Sequence, residues 1–521
     1  MTTFEAPTVV WAALLPTLLV AGGAVVGVLI EAFVPRGPRR LVQVLLALLA
    51  VVGSLVAVVW RWTEVTAGSP QHVVGSAVVE DAPALAAQAI LAVVGFVGLL
   101  VIADRTESGE GAFVAQAAAR PGSVDEADST RAGLVQTEVY PLTMFALAGM
   151  FVFAQANDLL TLFIALEVLS LPLYVLSGLA RRRRLLSQEA SMKYFLLGAF
   201  ASAFMIFGIA LLYGYSGDIT FAGLAQAVPE TVGMDGLLLA GSVMVVVALL
   251  FKVGAVPFHA WTPDVYTGAP TPVTGFMAAA TKLAAFVALL RFVYVALPDM
   301  SWDLTPFFWV IIVLTMLVGT VVGIVQTDVK RMLAYSSIAH AGFVLIGVVA
   351  LEQIAISGVL FYLLAYGLAT VGAFALVTLV RERDPDGNVT GEATHLSQWA
   401  GLGRRNPVAA LAMTVFLLSF AGIPLTGGFI GKFAVFSAGV AGGQTLLVVL
   451  AVLASAATAF FYVRLIVLMF FTEPDGETVA AVSSEGLTTV AVAVCGVGTL
   501  LLGVLPGPVL ALAEQGATFL P

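Results

Sequence analysis

Charge is scarce in this 521-residue chain, where 11% of residues are Asp, Glu, Lys or Arg and 60% are apolar. With a mean hydropathy of +1.03, that balance excludes an ordinary soluble domain and describes a polytopic membrane protein. Cysteine is scarcer still. The single Cys495 lies in an apolar run, which rules out a disulfide, iron–sulfur ligation and a thiolate zinc site within the chain. The four histidines, at 72, 259, 340 and 395, show no paired metal spacing. Any redox cofactor nearby is therefore expected on another chain. Nucleotide motifs are missing too: Gly427-Gly428-Phe429-Ile430-Gly431-Lys432 approximates a phosphate loop but is followed by Phe433 inside an apolar run, and Gly401-Leu402-Gly403 lacks a third glycine. The chain has no energy source of its own.

Lysine is the most informative shortage. Of 23 basic residues five are lysine, and Lys193, Lys252, Lys282 and Lys432 fall in or at the edge of long apolar runs. Arginine does the surface work instead. A group needed only for its positive charge can be arginine, but one that must gain and lose a proton cannot, because guanidinium stays charged while a buried ammonium titrates. A charge at the bilayer centre costs about 2.5–3.5 kcal/mol on insertion scales, so these groups must be paired, hydrated or partly neutral. They read as titrating groups.

Apolar stretches near the bilayer length of about 20 residues recur fourteen times, at about 8–33, 41–60, 83–103, 139–156, 158–178, 189–214, 237–262, 271–297, 305–326, 331–350, 353–380, 406–438, 443–471 and 487–514. The segment 1–6 carries Glu5 and no basic residue, so the first run lacks the basic leader of a signal peptide and is expected to stay as a helix. Assigning the loops alternately to two sides, with the N-terminus outside, puts sixteen basic residues on one side, Lys330 among them, and Arg61 alone on the other. That asymmetry orients both termini outward. Arg291 and Arg464 lie near helix ends, where an arginine can snorkel, and Lys193 reads two ways, as a snorkelling side chain or as part of the buried set. The net charge of −9 could suggest a cationic partner, but many of the acids lie in two loops, 104–138 and 381–405, which read as solvated.

Runs seven and twelve are interrupted, by Gly254-Ala255-Val256-Pro257 and by Gly422-Ile423-Pro424 followed by Gly427-Gly428. Proline removes a donor and clashes with the preceding turn, and unwound backbone at membrane depth survives only where protein or water satisfies it. The two breaks are five spans apart, hence oppositely directed, as in an inverted repeat of spans four to eight against nine to thirteen. Lys252 lies five residues before Pro257 and Lys432 eight after Pro424. The fold expected is therefore an all-α polytopic membrane protein of about fourteen helices, with two inverted five-helix repeats and discontinuous helices seven and twelve. Its segments are 1–138, three helices and an acidic loop; 139–297, the first repeat; 305–471, the second; and 472–521, a loop and the last helix.

Glu167, in the middle of span five, is the natural partner of Lys252: a nearby carboxylate favours the charged ammonium, and separation lets desolvation favour the neutral amine. A purely structural ion pair is the competing reading. His340 in span ten and His259 just past the first break are candidate relays, since imidazole titrates near neutrality. Tyr362, Tyr366 and Thr370 put three hydroxyls on one face of span eleven, either as a proton wire or as bonds to a neighbouring helix.

The run Phe-Lys-Val-Gly-Ala-Val-Pro-Phe-His-Ala-Trp-Thr-Pro-Asp-Val-Tyr-Thr-Gly-Ala-Pro-Thr-Pro at 251–272 resembles the signature of the antiporter-like membrane subunits of respiratory complex I, shared with Mrp-type cation/proton antiporters. The resemblance spans nearly the whole chain. It implies a proton path through Glu167, Lys252, Lys282 and Lys432, with Lys193 matching a further family lysine, and it implies coupling to quinone reduction elsewhere. NADH, FMN, iron–sulfur clusters and quinone would be bound by other subunits. The partners implied are other membrane-arm subunits, an M-like one and the small A, J and K subunits, together with the lipid bilayer and no nucleic acid, in a bacterial cell membrane. Two rivals are a Mrp-type Na⁺/H⁺ antiporter subunit, against which the Trp-Thr-Pro-Asp-Val-Tyr form argues, and a scaffold subunit that moves no protons.

Overall fold

A computed structural model describes residues 8–68, 70–106, 111–120, 123–231, 233–383, 389–473, 479–481 and 484–521. The segment 1–6, part of the acidic loop and part of 381–405 lie outside the described residues. Among the described residues twelve helices of at least 18 residues are apolar enough to cross a bilayer, and Val139–Gln155, Pro407–Ala421 and Gly427–Ala441 are shorter apolar helices. Several differ from the sequence expectation at their ends. The second helix runs over Arg36–Thr66, and the last apolar run is divided into Leu487–Val504 and Gly507–Gln515 around Pro506, which cannot continue a helix.

The centre of the bundle is made by Thr271–Arg291, Val329–Val349 and Gln353–Leu379, which are buried almost throughout. The first of these owes its place to small side chains: Ala278, Ala279, Ala280, Ala284, Ala285 and Ala288 let neighbouring backbones close in where no hydrophobic force distinguishes protein from lipid tails. Helices such as Arg184–Ser216 and Thr445–Phe471 turn Phe200, Phe207, Val452 and Phe460 outward, as lipid-facing helices do.

A close approach is repeated at an interval of 170 residues. A Cβ on Gly149 would lie 2.5 Å from the Leu169 amide, and one on Gly319 would lie 2.5 Å from the Ala339 amide. Only glycine allows these two helix pairs, Val139–Gln155 with Leu159–Ser177 and Ser301–Ile324 with Val329–Val349, to touch backbone to backbone. The breaks repeat as well. Asp235–Val253 ends at Gly254 (φ +77°), whose amide donates to Leu250 and Phe251, and Pro407–Ala421 ends at Gly422 (φ +79°), whose amide donates to Leu418 and Ser419. The left-handed glycine closes each half-helix while leaving some of its last carbonyls free for other donors.

Among the described residues there are two small sheets, absent from the sequence reading. Gln71–His72 pairs antiparallel with Val79–Glu80, and Val380–Arg383 is flanked by Val389–Glu392 and Val479–Ala481. Near the first sheet Arg291 departs from the snorkelling expectation. It is 0% exposed, and its guanidinium donates to both oxygens of Asp81 at 2.7 Å. Asp81 also accepts from the Leu520 amide at 2.9 Å, and the Phe519 ring lies 4.7 Å from the guanidinium, so the C-terminal segment seals the pair. Arg464 keeps its expected place near a helix end, donating to the Ile324 and Gln326 carbonyls. Lys330 is no loop residue but 3% exposed, and it donates to the Ala269 carbonyl at 2.9 Å.

Candidate functional site

Lys252, Lys282 and Lys432 are 3%, 3% and 5% exposed, each held by hydrogen bonds on one side and an aromatic face on the other. Lys252 occupies the last turn of Asp235–Val253, where a cation suits the negative end of the half-helix. Its Nζ donates to Ser170 Oγ at 2.7 Å and Tyr194 OH at 3.1 Å, and it stands 5.1 Å from the Tyr194 ring centroid. Lys282, midway along Thr271–Arg291, donates to the Ser337 carbonyl at 2.6 Å and lies 5.9 Å from the Tyr366 ring. Lys432 reaches back from the second half of the broken span: its Nζ donates to the carbonyls of Phe420 at 2.8 Å and Ala421 at 3.0 Å and to Ser455 Oγ at 2.7 Å, with the Phe343 ring 5.1 Å away. Those carbonyls are among the ones the break releases. The lysine is placed where acceptors were already short of donors.

Glu167 is half-buried, and it accepts a hydrogen bond from Ser202 rather than pairing directly with Lys252. Ser170, one turn further along Leu159–Ser177, takes the lysine. Carboxylate and ammonium remain within electrostatic reach, but hydroxyls on neighbouring helices separate their hydrogen-bonding shells. The expected direct pair is thus corrected to a carboxylate and an ammonium with a serine at each.

His340 is joined to the second half of the row. Its Nδ1 is 2.6 Å from Tyr362 OH and its Nε2 3.1 Å from Tyr462 OH, and it is within electrostatic reach of both Lys282 and Lys432. The 170-residue interval that relates the glycine contacts also relates Ser170 to His340 and Glu167 to Ser337. Ser170 takes Lys252 and His340 lies within electrostatic reach of Lys432, whereas the Ser337 carbonyl takes Lys282 of the first repeat. His259 is not brought into this set. It is half-buried beside the first break, and its Nδ1 has no hydrogen-bond partner among the described residues. Of the hydroxyl stripe, Tyr362 meets His340, while Thr370 Oγ1 is buried and its nearest polar group is the Tyr366 hydroxyl.

Lys193 stands at the arginine-rich end rather than in the buried row. Its side chain is 41% exposed and pairs with Glu189 at 2.6 Å and Asp264 at 2.7 Å. Asp264 also takes Arg331 at 2.8 Å, so it ties a helix of the first repeat to one of the second. Burial pushes the Asp264 carboxyl up, but the hydrogen bonds from Lys193 and Arg331 outweigh it and hold the group below the usual carboxylate range. Sequence reasoning passed over Asp264, Ser170, Tyr194, Ser202, Ser455 and Tyr462. Asp264 was recoverable as the only acid of the 251–272 run; the hydroxyls carry no pattern of their own.

A broken-helix bundle with this buried row defines a membrane transporter subunit. Residues 156–458 match the family described as NADH:quinone oxidoreductase/Mrp antiporter, TM. The chain belongs to that family. It is 64% identical to NADH-quinone oxidoreductase subunit N of Beutenbergia cavernae over 99% of each chain. To the protein of the same name in Mycobacterium tuberculosis it is 51% identical, again over 99% of each. It superposes on a chain of respiratory complex I from Thermus thermophilus, solved with bound aureothin, with a TM-score of 0.77 at 31% identity, covering 96% of this chain and 100% of that one. A Mrp complex from Dietzia shares the fold, with a TM-score of 0.79 at 20% identity over 97% of each chain. The chain is a multi-pass membrane protein of a kind found in multi-subunit membrane complexes.

Proposed function

We propose that this chain is the N-type antiporter-like subunit of a bacterial proton-translocating NADH-quinone oxidoreductase, and that Glu167, Lys252, Lys282, His340 and Lys432 carry protons across it. The observation that supports this reading most is the burial of three lysines, two of them at the breaks of corresponding half-helices, along a chain 64% identical to a protein of that name. Quinone reduction in other subunits would disturb the electrostatic balance between Glu167 and Lys252, and the proton released would pass by way of Lys282 and His340 to Lys432. The described side chains form no continuous hydrogen-bonded path from Lys252 to Lys282, so water must complete it. Lys193 and Asp264 would lie at the inner mouth. His259 stays a lesser candidate.

In this reading NADH, FMN, the iron–sulfur clusters and quinone are held by other subunits, and the neighbours are an M-like subunit and the small A, J and K subunits. The chain sits in the bacterial plasma membrane with both termini outside. Counting Val139–Gln155 as a span, and each broken pair as one, gives fourteen crossings. Two experiments test the reading. Affinity purification in mild detergent should co-isolate flavin and iron–sulfur subunits; isolation with antiporter subunits alone would favour Na⁺/H⁺ exchange instead. In inverted vesicles, Glu167→Gln and Lys282→Met should abolish or strongly reduce NADH-driven proton uptake in an assembled complex. Full stoichiometry in both variants would leave the chain a scaffold.

A further inference from the structure

Lys330 is the buried lysine that the row leaves unused. It stands beside Arg331 at the arginine-rich end of Val329–Val349, and its Nζ donates to the carbonyl of Ala269, the residue that caps the half-helix Trp261–Gly268. Capping a helix end calls only for a fixed positive charge, which arginine supplies at the neighbouring positions 331 and 381. Lys330 also lines a cavity of about 60 Å³, with Thr267, Thr271 and Glu392 among its other walls, which has room for a few water molecules. The charged groups around its ammonium are the carboxylates of Glu392 and Asp328 and the guanidiniums of Arg183 and Arg381.

Hydroxyls lead from that lysine to Lys282. Ser337 lies seven residues after Lys330 on the same face of the helix, about 10 Å deeper, and its carbonyl already takes Lys282 at 2.6 Å. Tyr266, one turn before Ala269, is buried and turns its hydroxyl toward Ser337 Oγ, so its side chain occupies the interval between Lys330 and the serine. Tyr366, whose ring lies 5.9 Å from the Lys282 ammonium, turns its hydroxyl toward the same serine. Ser337 Oγ is buried at the meeting point, yet among the described residues neither approach closes into a hydrogen bond of ordinary geometry. Buried hydroxyls gathered loosely in this way are where ordered water sits, because water completes the bonds they lack.

We propose that Lys330, Tyr266 and Ser337 form a second inner entrance, which delivers protons directly to Lys282 with water in the cavity at Lys330 and beside Ser337. The inference rests on the proton-carrying role of Lys282 proposed above. In each transfer a hydroxyl oxygen accepts one proton as it gives up its own to the next group, so neither Tyr266 nor Ser337 is left charged, and neutral Lys282 takes the last proton to become an ammonium. No continuous hydrogen-bonded path joins Lys252 to Lys282 among the described side chains. An entrance at Lys330 lets the middle of the row reload without waiting for the first repeat.

The test uses the whole complex in inverted membrane vesicles, whose inner face meets the bath. Tyr266→Phe and Ser337→Ala each remove one hydroxyl and keep the packing, and each should slow NADH-driven proton uptake at least about tenfold near neutral pH, with NADH oxidation by an artificial acceptor unchanged. Entry then limits the rate, so uptake by these variants should rise about tenfold for each unit by which the bath pH falls, whereas wild type should change far less. Ser337→Thr, which restores a hydroxyl, should recover most of the rate, and Lys330→Arg, which keeps the charge, should slow it as Tyr266→Phe does. Tyr294→Phe, which removes a hydroxyl bonded to the Gly347 carbonyl near the other end of the bundle, should alter neither the rate nor its pH profile. Acceptor activity and melting curves screen every variant for assembly. Wild-type uptake in Tyr266→Phe and Ser337→Ala, in a background where Lys282→Met abolishes it, overturns the entrance and leaves the proposed function standing. A loss that lower pH does not restore marks a structural role and overturns the entrance as well. Full uptake in Lys282→Met refutes the earlier reading, and the entrance with it.

Discussion

Replacing Lys432 by arginine separates charge from titration at one position. The ammonium donates to the Phe420 and Ala421 carbonyls and to Ser455, and a guanidinium has donors enough for all three. Space is tighter: a Cβ on Gly422 would lie 2.9 Å from Lys432 Cδ, so the larger head must turn toward Ser455. The complex should still assemble. The neutral form is another matter. A free guanidinium holds its proton about two pKa units more tightly than a free ammonium, so at any physiological pH the substitution lowers the deprotonated fraction about a hundredfold or more before burial acts on either. A step that passes through neutral Lys432 slows by that factor or more. The assay is NADH-driven quenching of a pH-sensitive dye in inverted vesicles, with NADH oxidation by an artificial acceptor reporting how much complex is present. Normal acceptor activity with proton uptake at or below about one hundredth of the wild-type rate is the expected result. Uptake at the wild-type rate and stoichiometry would refute the claim that Lys432 must discharge.

Gly422→Ala should destabilise the assembled complex by at least about 1 kcal/mol, because a Cβ is strained in the left-handed conformation and meets the Lys432 side chain; a lowered melting temperature checks it. Asp81→Ala should cost about 3–5 kcal/mol by stranding a buried guanidinium, whereas the double change Asp81→Leu with Arg291→Met should recover most of that loss in the same melting assay. Asp264 gives a pH dependence with a definite sign. Its folded-state carboxyl is held below the ordinary value of about 3.9, so its contribution is fully present above that value and lost as pH falls through the lower folded value. Stability should therefore be indifferent to Asp264→Asn only in strong acid, and wild type and variant should differ by a constant amount between pH 5 and 7. Ser202→Ala, which leaves Glu167 without its hydroxyl donor, should slow coupled pumping while leaving acceptor activity intact.

The bilayer makes part of this protein legible from its residues alone. Apolar length located the spans, Gly-Pro combinations located both breaks, and the rarity of lysine singled out Lys252, Lys282 and Lys432, because each is a response to a solvent that satisfies neither backbone nor charge. Partnership was less legible. A helix that is apolar all round carries no periodic stripe to say which face meets which neighbour. Glu167 and Lys252 looked like a pair for want of any other opposite charge, yet Ser202 and Ser170 stand at them. Arg291 looked like a snorkelling residue because its partner, Asp81, lies 210 residues away in the sequence. The small sheets escaped notice since their strands are two to four residues long.

The shell around Lys432 can stay satisfied whichever way the lysine is protonated. An ammonium has three donors, and the structure supplies three acceptors, two carbonyls and a hydroxyl. A neutral amine has two donors and a lone pair. It can keep both carbonyls and accept from the Ser455 hydroxyl, which needs only to rotate its hydrogen. Lys252 has the same freedom at the Tyr194 hydroxyl, while the Ser170 hydroxyl accepts from the lysine and donates to the Leu166 carbonyl. A partner that could only accept would resist discharge, and one that could only donate would resist charging. Hydroxyls make the two protonation states alike in bonds formed, so that a small change in potential from a neighbouring group is enough to choose between them.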